Sequence, residues 1–111
     1  MNSKIFKLSK EQILPLVPGL GGCVATDRIV VDGMPVGYMY REMPLNPSDS
    51  GWRLFAGDED ASYMQDAKNH GVYDVNTLAN YDRSIIPFLR DHIGTKVERG
   101  DDGLLSVVED E

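Results

Sequence analysis

The residues best suited to recognising another molecule lie in two short pairs, Tyr40-Arg41 and Trp52-Arg53. Tyrosine, tryptophan and arginine carry much of the binding energy at protein interfaces. Trp52 is the single tryptophan of the chain, and it follows Gly51 between a polar loop and an acidic turn. Three roles stay open for it: a core residue at the start of a strand, an anchor for a partner protein, or one wall of a small ligand site.

The acidic turn after this tryptophan is the second candidate for chemistry. A calcium loop that began at Asp58 would need glycine at its sixth position and glutamate at its twelfth, but those positions are Tyr63 and Asn69. Acidic residues at this place instead favour the first turn of a helix, with Asp58 as its N-cap. The candidate binding residues are Trp52, Arg53, Tyr40, Asp58, Glu59 and Asp60.

Residue types that support catalysis are few. Cys23 is the only cysteine, and the only histidines, His70 and His92, do not form a metal-binding spacing. The glycines near Leu20 do not have the spacing of a nucleotide-binding loop. We therefore predict no catalytic residue, no metal ion and no cofactor. An enzyme that uses Asp or Glu as general acid–base near Cys23 or His70 is an alternative that no motif supports.

Composition limits the possible partners. The chain has 111 residues and a formal net charge of −7, which predicts a single domain that repels nucleic acids and suits a basic protein. It has no apolar run long enough to span a membrane and no signal-peptide pattern, so we expect a cytoplasmic protein. The acidic residues 109–111 are predicted to be a disordered end.

The first half of the chain predicts strands after a short helix. Ser9, with Gln12 three residues later, forms a capping-box pattern before an apolar stripe at Ile13, Leu14 and Val17. The turn dipeptide Asp32-Gly33 predicts a hairpin between residues 27–31 and 36–42. On its second arm Tyr38, Tyr40 and Glu42 share one face. Residues 52–56 form a further strand, with Trp52, Leu54 and Ala56 on one face.

The second half predicts helices and then another hairpin. We predict helices at residues 59–68, 76–80 and after Asp82, where Pro87 favours a separate or 3₁₀ turn. A short strand is predicted at 72–75. Residues 96–99 and 104–108 form the second hairpin candidate across a Gly-Asp-Asp-Gly turn. The predicted class is α+β, a single domain over 1–111 with a mainly antiparallel sheet and two or three short helices.

Three segments together resemble a known family. They are residues 21–42, 49–60 and 72–91, and their most specific features are Gly51-Trp52 with Phe55 and the acidic turn, Asp74 to Thr77, and Asp82 with Pro87. In this order they resemble the "Imm thirty-three" type of predicted immunity proteins from bacterial polymorphic-toxin systems. The similarity covers about residues 20–95.

The resemblance implies a single α+β domain that neutralises a toxin by binding it, without catalysis. A basic toxin is the partner we expect, because an acidic inhibitor gains association rate by complementing a basic surface. Trp52 beside Asp58, Glu59 and Asp60 would then be an aromatic anchor with an acidic rim. The alternative is a small ligand-binding or accessory domain with a pocket around Trp52, Tyr40 and Arg53. A homodimer through sheet edges is also open.

Overall fold

The computed structural model describes residues 4–108, so the predicted disordered end at 109–111 lies outside the described residues. Within them lie six strands, three short α-helices and three 3₁₀ turns. The strands are β1 Gly22–Thr26, β2 Tyr38–Arg41, β3 Asp49–Phe55, β4 His70–Asp74, β5 Lys96–Arg99 and β6 Leu105–Val107. The α-helices are α1 Asp27–Val30, α2 Ala61–Gln65 and α3 Val75–Tyr81, and 3₁₀ turns cover Lys10–Gln12, Ala67–Asn69 and Arg83–Phe88.

The strands form a single six-stranded sheet in the order β4-β1-β3-β2-β5-β6. β1 and β3 run parallel, and every other neighbouring pair in this sheet is antiparallel. β3 is central and pairs with β1 on one side and β2 on the other. The predicted α+β class with a mainly antiparallel sheet is confirmed.

The core lies on one face of the sheet. β2, β3 and β5 contribute the buried residues Met39, Trp52, Leu54 and Val97. The helices cover these side chains with Ile29, Val30, Val75, Leu78, Ala79 and Ile85, all of which are almost fully buried. The opposite face of the sheet carries Tyr38, Tyr40 and Phe55, which keep part of their surface exposed.

The predicted first hairpin is wrong. Its first arm, 27–31, is not a strand, because α1 begins at Asp27 and the amides of Val31 and Asp32 donate to the Asp27 carbonyl. The second arm is β2, which pairs with β3 and β5 instead. The β-branched residues that suggested a strand are used as the buried side of a helix, an example of tertiary packing that overrides local propensity.

The N-terminal helix is shorter than predicted. Only the 3₁₀ turn Lys10–Gln12 forms, and Gln12 Oε1 accepts a hydrogen bond from the Ser9 amide at 2.7 Å. The apolar stripe is also only partly correct, since Val17 is buried while Leu14 is 48% exposed. The Leu16 and Val17 amides donate to Asn76 Oδ1, so side-chain hydrogen bonds hold this segment against α3.

The helix predicted over 59–68 is divided into α2 and the 3₁₀ turn Ala67–Asn69. Its N-cap is Asp60 and not Asp58: the Asp60 carboxylate accepts from the Tyr63 amide at 2.8 Å. The predicted helix end at Asn69 to Gly71 is partly correct: the 3₁₀ turn ends at Asn69, and His70 and Gly71 already belong to β4.

The later elements agree better with their predictions. Asp82 caps a 3₁₀ turn that contains Pro87, and its carboxylate accepts from the Ser84 amide at 3.0 Å. β5 and β6 form the predicted second hairpin, and α3 covers the predicted helical turn at 76–80.

Gly51 produces a bulge in the middle of β3. Gly22 of β1 pairs with Asp49 and Val24 pairs with Arg53, so two steps along β1 correspond to four along β3. Gly51 has φ +91°, and a Cβ atom built there would lie 2.1 Å from the Glu42 carbonyl oxygen. Only glycine fits, because both the left-handed backbone and the close approach exclude a side chain.

We expect Gly51→Ala to lower the free energy of unfolding by more than the ~1 to 2 kcal/mol that a left-handed conformation alone costs. Gly103→Ala is the matched control, since Gly103 has φ +82° but open space around its Cα. Urea unfolding of both variants measures the difference. Equal losses of stability would contradict a steric role for the bulge.

Candidate functional site

A groove of about 890 Å³ lies on the face of the sheet opposite the core. β2 and β3 form its floor, because Tyr38 pairs with Phe55 in the register of these strands and Tyr40 is two residues further along. The walls come from the turn after β3, from Met64 of α2 and from the end of β5. The groove is therefore open to solvent and apolar at its base.

The three rings of the floor pack on one another. Phe55 stacks on Tyr38 at 6.0 Å and on Tyr40 at 5.8 Å between centroids, with interplanar angles of 26° and 21°. Burial raises the pKa of Tyr40, and the nearby Glu42 carboxylate raises it further. The phenol therefore stays neutral and can serve as a hydrogen-bond donor or acceptor at neutral pH.

Glu59 is a rigid part of the groove wall. Its Oε2 accepts hydrogen bonds from Thr26 Oγ1 at 2.5 Å and the Ala56 amide at 2.8 Å, and its Oε1 accepts from the Gly57 amide at 2.8 Å. Burial raises the pKa of Glu59, but these hydrogen bonds outweigh it and the net pKa lies below the usual value. The carboxylate is thus ionised and held in one position.

Two other charges at the groove are already paired. Asp58 lies 3.4 Å from Arg28 Nε, and the Arg28 guanidinium lies over the Tyr63 ring at 4.7 Å. Arg99 Nη2 pairs with Asp82 at 2.8 Å. Glu98 is exposed at the rim, where Tyr38 faces it across the β2–β5 ladder, and it forms no ion pair within residues 4–108.

Trp52 is a core residue. It is 1% exposed, and its Nε1 donates a hydrogen bond to the Leu89 carbonyl at 3.0 Å. Of the three roles that the sequence left open for Trp52, its burial fits the core residue and does not fit the partner anchor. The pocket expected around Trp52, Tyr40 and Arg53 does not form either. Tyr40 and Arg53 are paired across β2 and β3, and Trp52, next to Arg53, points to the opposite face.

Because Trp52 is enclosed, we expect its fluorescence emission in the folded protein to be blue-shifted and protected from acrylamide quenching. Unfolding in urea should shift the emission to the red and remove the protection, which serves as the internal control. A folded protein with red-shifted, readily quenched emission would contradict the buried position.

Arg53 is held in a nearly buried ion-pair network beside the groove. Its Nη1 and Nη2 bind both oxygens of Asp49 at 2.9 and 2.8 Å, and its Nε donates to Glu42 at 2.7 Å. These hydrogen bonds from Arg53 hold the pKa of Asp49 well below its usual range. Arg53 is 5% exposed, so its function here is structural.

We expect Asp49→Asn to lower the free energy of unfolding at pH 7 by about 3 kcal/mol, because it leaves the Arg53 charge buried with only Glu42 as an ionic partner. The folded-state pKa of Asp49 lies below its unfolded value of about 3.9, so this stabilisation is full above that pH and is lost as the pH falls below it.

Urea unfolding between pH 7 and pH 3 tests this expectation, with the exposed Asp101→Asn as control. The stability difference between Asp49→Asn and wild type should shrink on the acid side. A constant difference across this pH range would show that the ion pair is not its cause.

The six predicted binding residues are therefore distributed over four places. Tyr40, Asp58 and Glu59 line the groove, whereas Asp60 caps α2. Trp52 and Arg53 belong to the core and to the buried ion pair.

The prediction missed Tyr38, Phe55 and Glu98 as groove residues. The alternation of β2 had placed Tyr38 beside Tyr40 on one face. The pairing of β2 with β5, which brings Glu98 to them, joins distant parts of the chain and left no local signal.

The other candidate groups give no sign of reactivity. Burial raises the pKa of the Cys23 thiol to about 12, with Asp74 adding to the effect, so the thiol is protonated at neutral pH. His70 Nε2 lies 2.9 Å from the Met64 carbonyl. In the part of the chain that the structure describes, no cluster of three metal-ligating side chains occurs. Over the same residues, no helix has the length and apolar character needed to cross a membrane.

Comparison of the sequence with models of protein families gives a match. The profile of the Immunity protein Imm33 domain matches residues 23–109, more than three quarters of the chain. The chain belongs to the Imm33 family. This confirms the resemblance, and the Imm33 match contains the whole groove as well as the Gly51 bulge. No curated protein and no solved structure matches the chain.

Membership of the Imm33 family indicates a toxin-neutralising role and a cognate toxin as partner. The N-terminal segment before Cys23 lies outside the match, although it packs on α3 through Asn76. The match assigns no role to an individual side chain, so such roles have to come from the geometry of this chain.

Proposed function

We propose that this Imm33 protein acts in the bacterial cytoplasm and neutralises a protein toxin by binding to it and covering part of its surface, without catalysis. The observation that carries the proposal is the Imm33 match over residues 23–109. The net charge of −7 supports a basic toxin, since complementary charge raises the association rate and suppresses wrong partners.

The open groove supports this proposal because it offers a contact surface that folding does not use. Tyr38, Tyr40 and Phe55 are partly exposed there, and tyrosine and phenylalanine are enriched at protein interfaces relative to the rest of the surface. A partner that covers this face would bury apolar area and meet an acidic rim at the same time.

A small ligand-binding domain is the second candidate, and the groove volume favours it. About 890 Å³ lies within the range of sites that hold small molecules. Such a site would use Tyr40 with Tyr38 and Phe55 as its floor, in place of the predicted combination with Trp52 and Arg53.

The test is co-production of this chain with a candidate cognate toxin. We expect cells to survive toxin production, and we expect purified toxin to lose activity in proportion to added chain, with full inhibition near one chain per toxin. A binding inhibitor must reach stoichiometric amounts, whereas an enzyme that inactivates the toxin would act well below them.

Two results would contradict the proposal. Inhibition at far below stoichiometric amounts would point to catalysis. Unprotected cells, together with no complex of chain and toxin in calorimetry, would exclude this toxin-neutralising role.

A further inference from the structure

We propose that the groove binds an arginine-bearing segment of the partner protein, with a guanidinium placed between Glu98 and the aromatic floor. This inference rests on the proposed function and identifies the surface and the partner chemistry that it would use. Four properties of the groove lead to it: unbalanced charge, aromatic composition, a precedent in the neighbouring turn, and size.

The charged groups that line the groove do not cancel one another. Arg99 is neutralised by Asp82, and Asp58 is neutralised by Arg28. Glu59 is ionised, but its described hydrogen bonds come only from neutral donors, and Glu98 has no ion pair within residues 4–108. The lining therefore holds two negative charges without a cation, which favours a positively charged occupant.

The aromatic floor selects among cations. A guanidinium is planar and weakly hydrated, so it stacks on aromatic side chains while it donates two parallel hydrogen bonds to a carboxylate. An ammonium is a compact, strongly hydrated charge and gains less from an apolar floor. Tyr38 and Tyr40 beside Glu98 provide the aromatic and the carboxylate partner together.

A related combination of an arginine with an aromatic ring and carboxylates already occurs beside the groove, where Asp58 belongs to the lining. Arg28 lies over the Tyr63 ring at 4.7 Å while its Nε is 3.4 Å from Asp58. Arg28 Nη1 also lies 3.6 Å from Asp32, so this intramolecular arginine contacts one aromatic ring and two carboxylates. Glu98 and the aromatic floor offer the same two kinds of partner, a carboxylate and an aromatic surface. No arginine of the described residues forms an ion pair with Glu98.

The size of the groove indicates a segment and not a single side chain. About 890 Å³ lies near the upper end of the range for sites that enclose whole small-molecule ligands. An arginine side chain alone would leave most of this space to water. We therefore assign the groove to a loop or strand of the partner that carries one arginine with its neighbouring residues.

Amide chemical shifts of the ¹⁵N-labelled full chain test this inference without any toxin. The probe is the peptide acetyl-Gly-Arg-Gly-Arg-Gly-amide, and the matched control replaces both arginines with citrulline, which keeps the shape and removes the charge. We expect saturable shifts at Tyr38, Tyr40, Phe55 and Glu98, and binding by the citrulline peptide to be weaker by about fivefold or more.

A variant pair completes the experiment. Glu98→Lys should weaken binding of the arginine peptide by about fivefold or more, because it reverses the rim charge. Glu11→Lys makes the same charge change at an exposed residue of the 3₁₀ turn Lys10–Gln12, outside the groove, and should leave the affinity within about twofold. Equal effects of the two variants would mean that only net charge matters and would overturn the inference.

Other outcomes are also decisive. Shifts confined to residues outside the groove, no saturable shift, or equal affinity for the citrulline peptide would each overturn it. Failure of this inference is distinguishable from failure of the proposed function. If wild type and Glu98→Lys neutralise the toxin equally well, the toxin-neutralising function stands and the groove is not the toxin-binding surface. If the groove binds the arginine peptide but the chain protects against no toxin, the groove is an arginine-binding site and the toxin-neutralising function is rejected.

Discussion

The bulge at Gly51 is the constraint on which the rest of the structure depends. In a regular strand, residues four apart are about 13 Å apart, but here Asp49 and Arg53 face residues only two apart on β1, so the strand is shortened locally. The shortening lets the Asp49 carboxylate reach the Arg53 guanidinium with both oxygens. A left-handed glycine with no room for Cβ makes this geometry possible.

The two faces of β3 around the bulge carry side chains with different roles. On one face Trp52 fills the core and donates to the Leu89 carbonyl, which fixes the segment after the 3₁₀ turn Arg83–Phe88 against the sheet. On the other face the ion pair at Arg53 lies beside the aromatic floor. Trp52 and Arg53 therefore stabilise the sheet from positions outside the groove lining, whereas Tyr40 and Glu98 lie in that lining and keep part of their surface exposed.

The sequence predicted the class, the second hairpin and the faces of β2 and β3, because these depend on local alternation and turn chemistry. It did not predict the parallel pairing of β1 with β3, because this pairing is not set by local sequence. The local turn signal at Asp32-Gly33 predicted a hairpin instead. It left Trp52 open between a core residue, a partner anchor and the wall of a ligand site, because residue type alone does not report burial. It did not identify Glu98 as a groove residue, because the pairing of β5 with β2 joins residues that are far apart in the chain.

A rigid acidic wall gives the proposed interface a particular advantage. A carboxylate on a mobile side chain loses conformational freedom when it binds a cation, and this loss reduces the affinity. Glu59 has already lost that freedom, because Thr26 and the Ala56 and Gly57 amides hold both of its oxygens. Its lowered pKa keeps it charged under mildly acidic conditions. In the proposed interface, the fixed charge of Glu59 is therefore already in place in the free protein, and the exposed Glu98 is the carboxylate assigned to the direct contact.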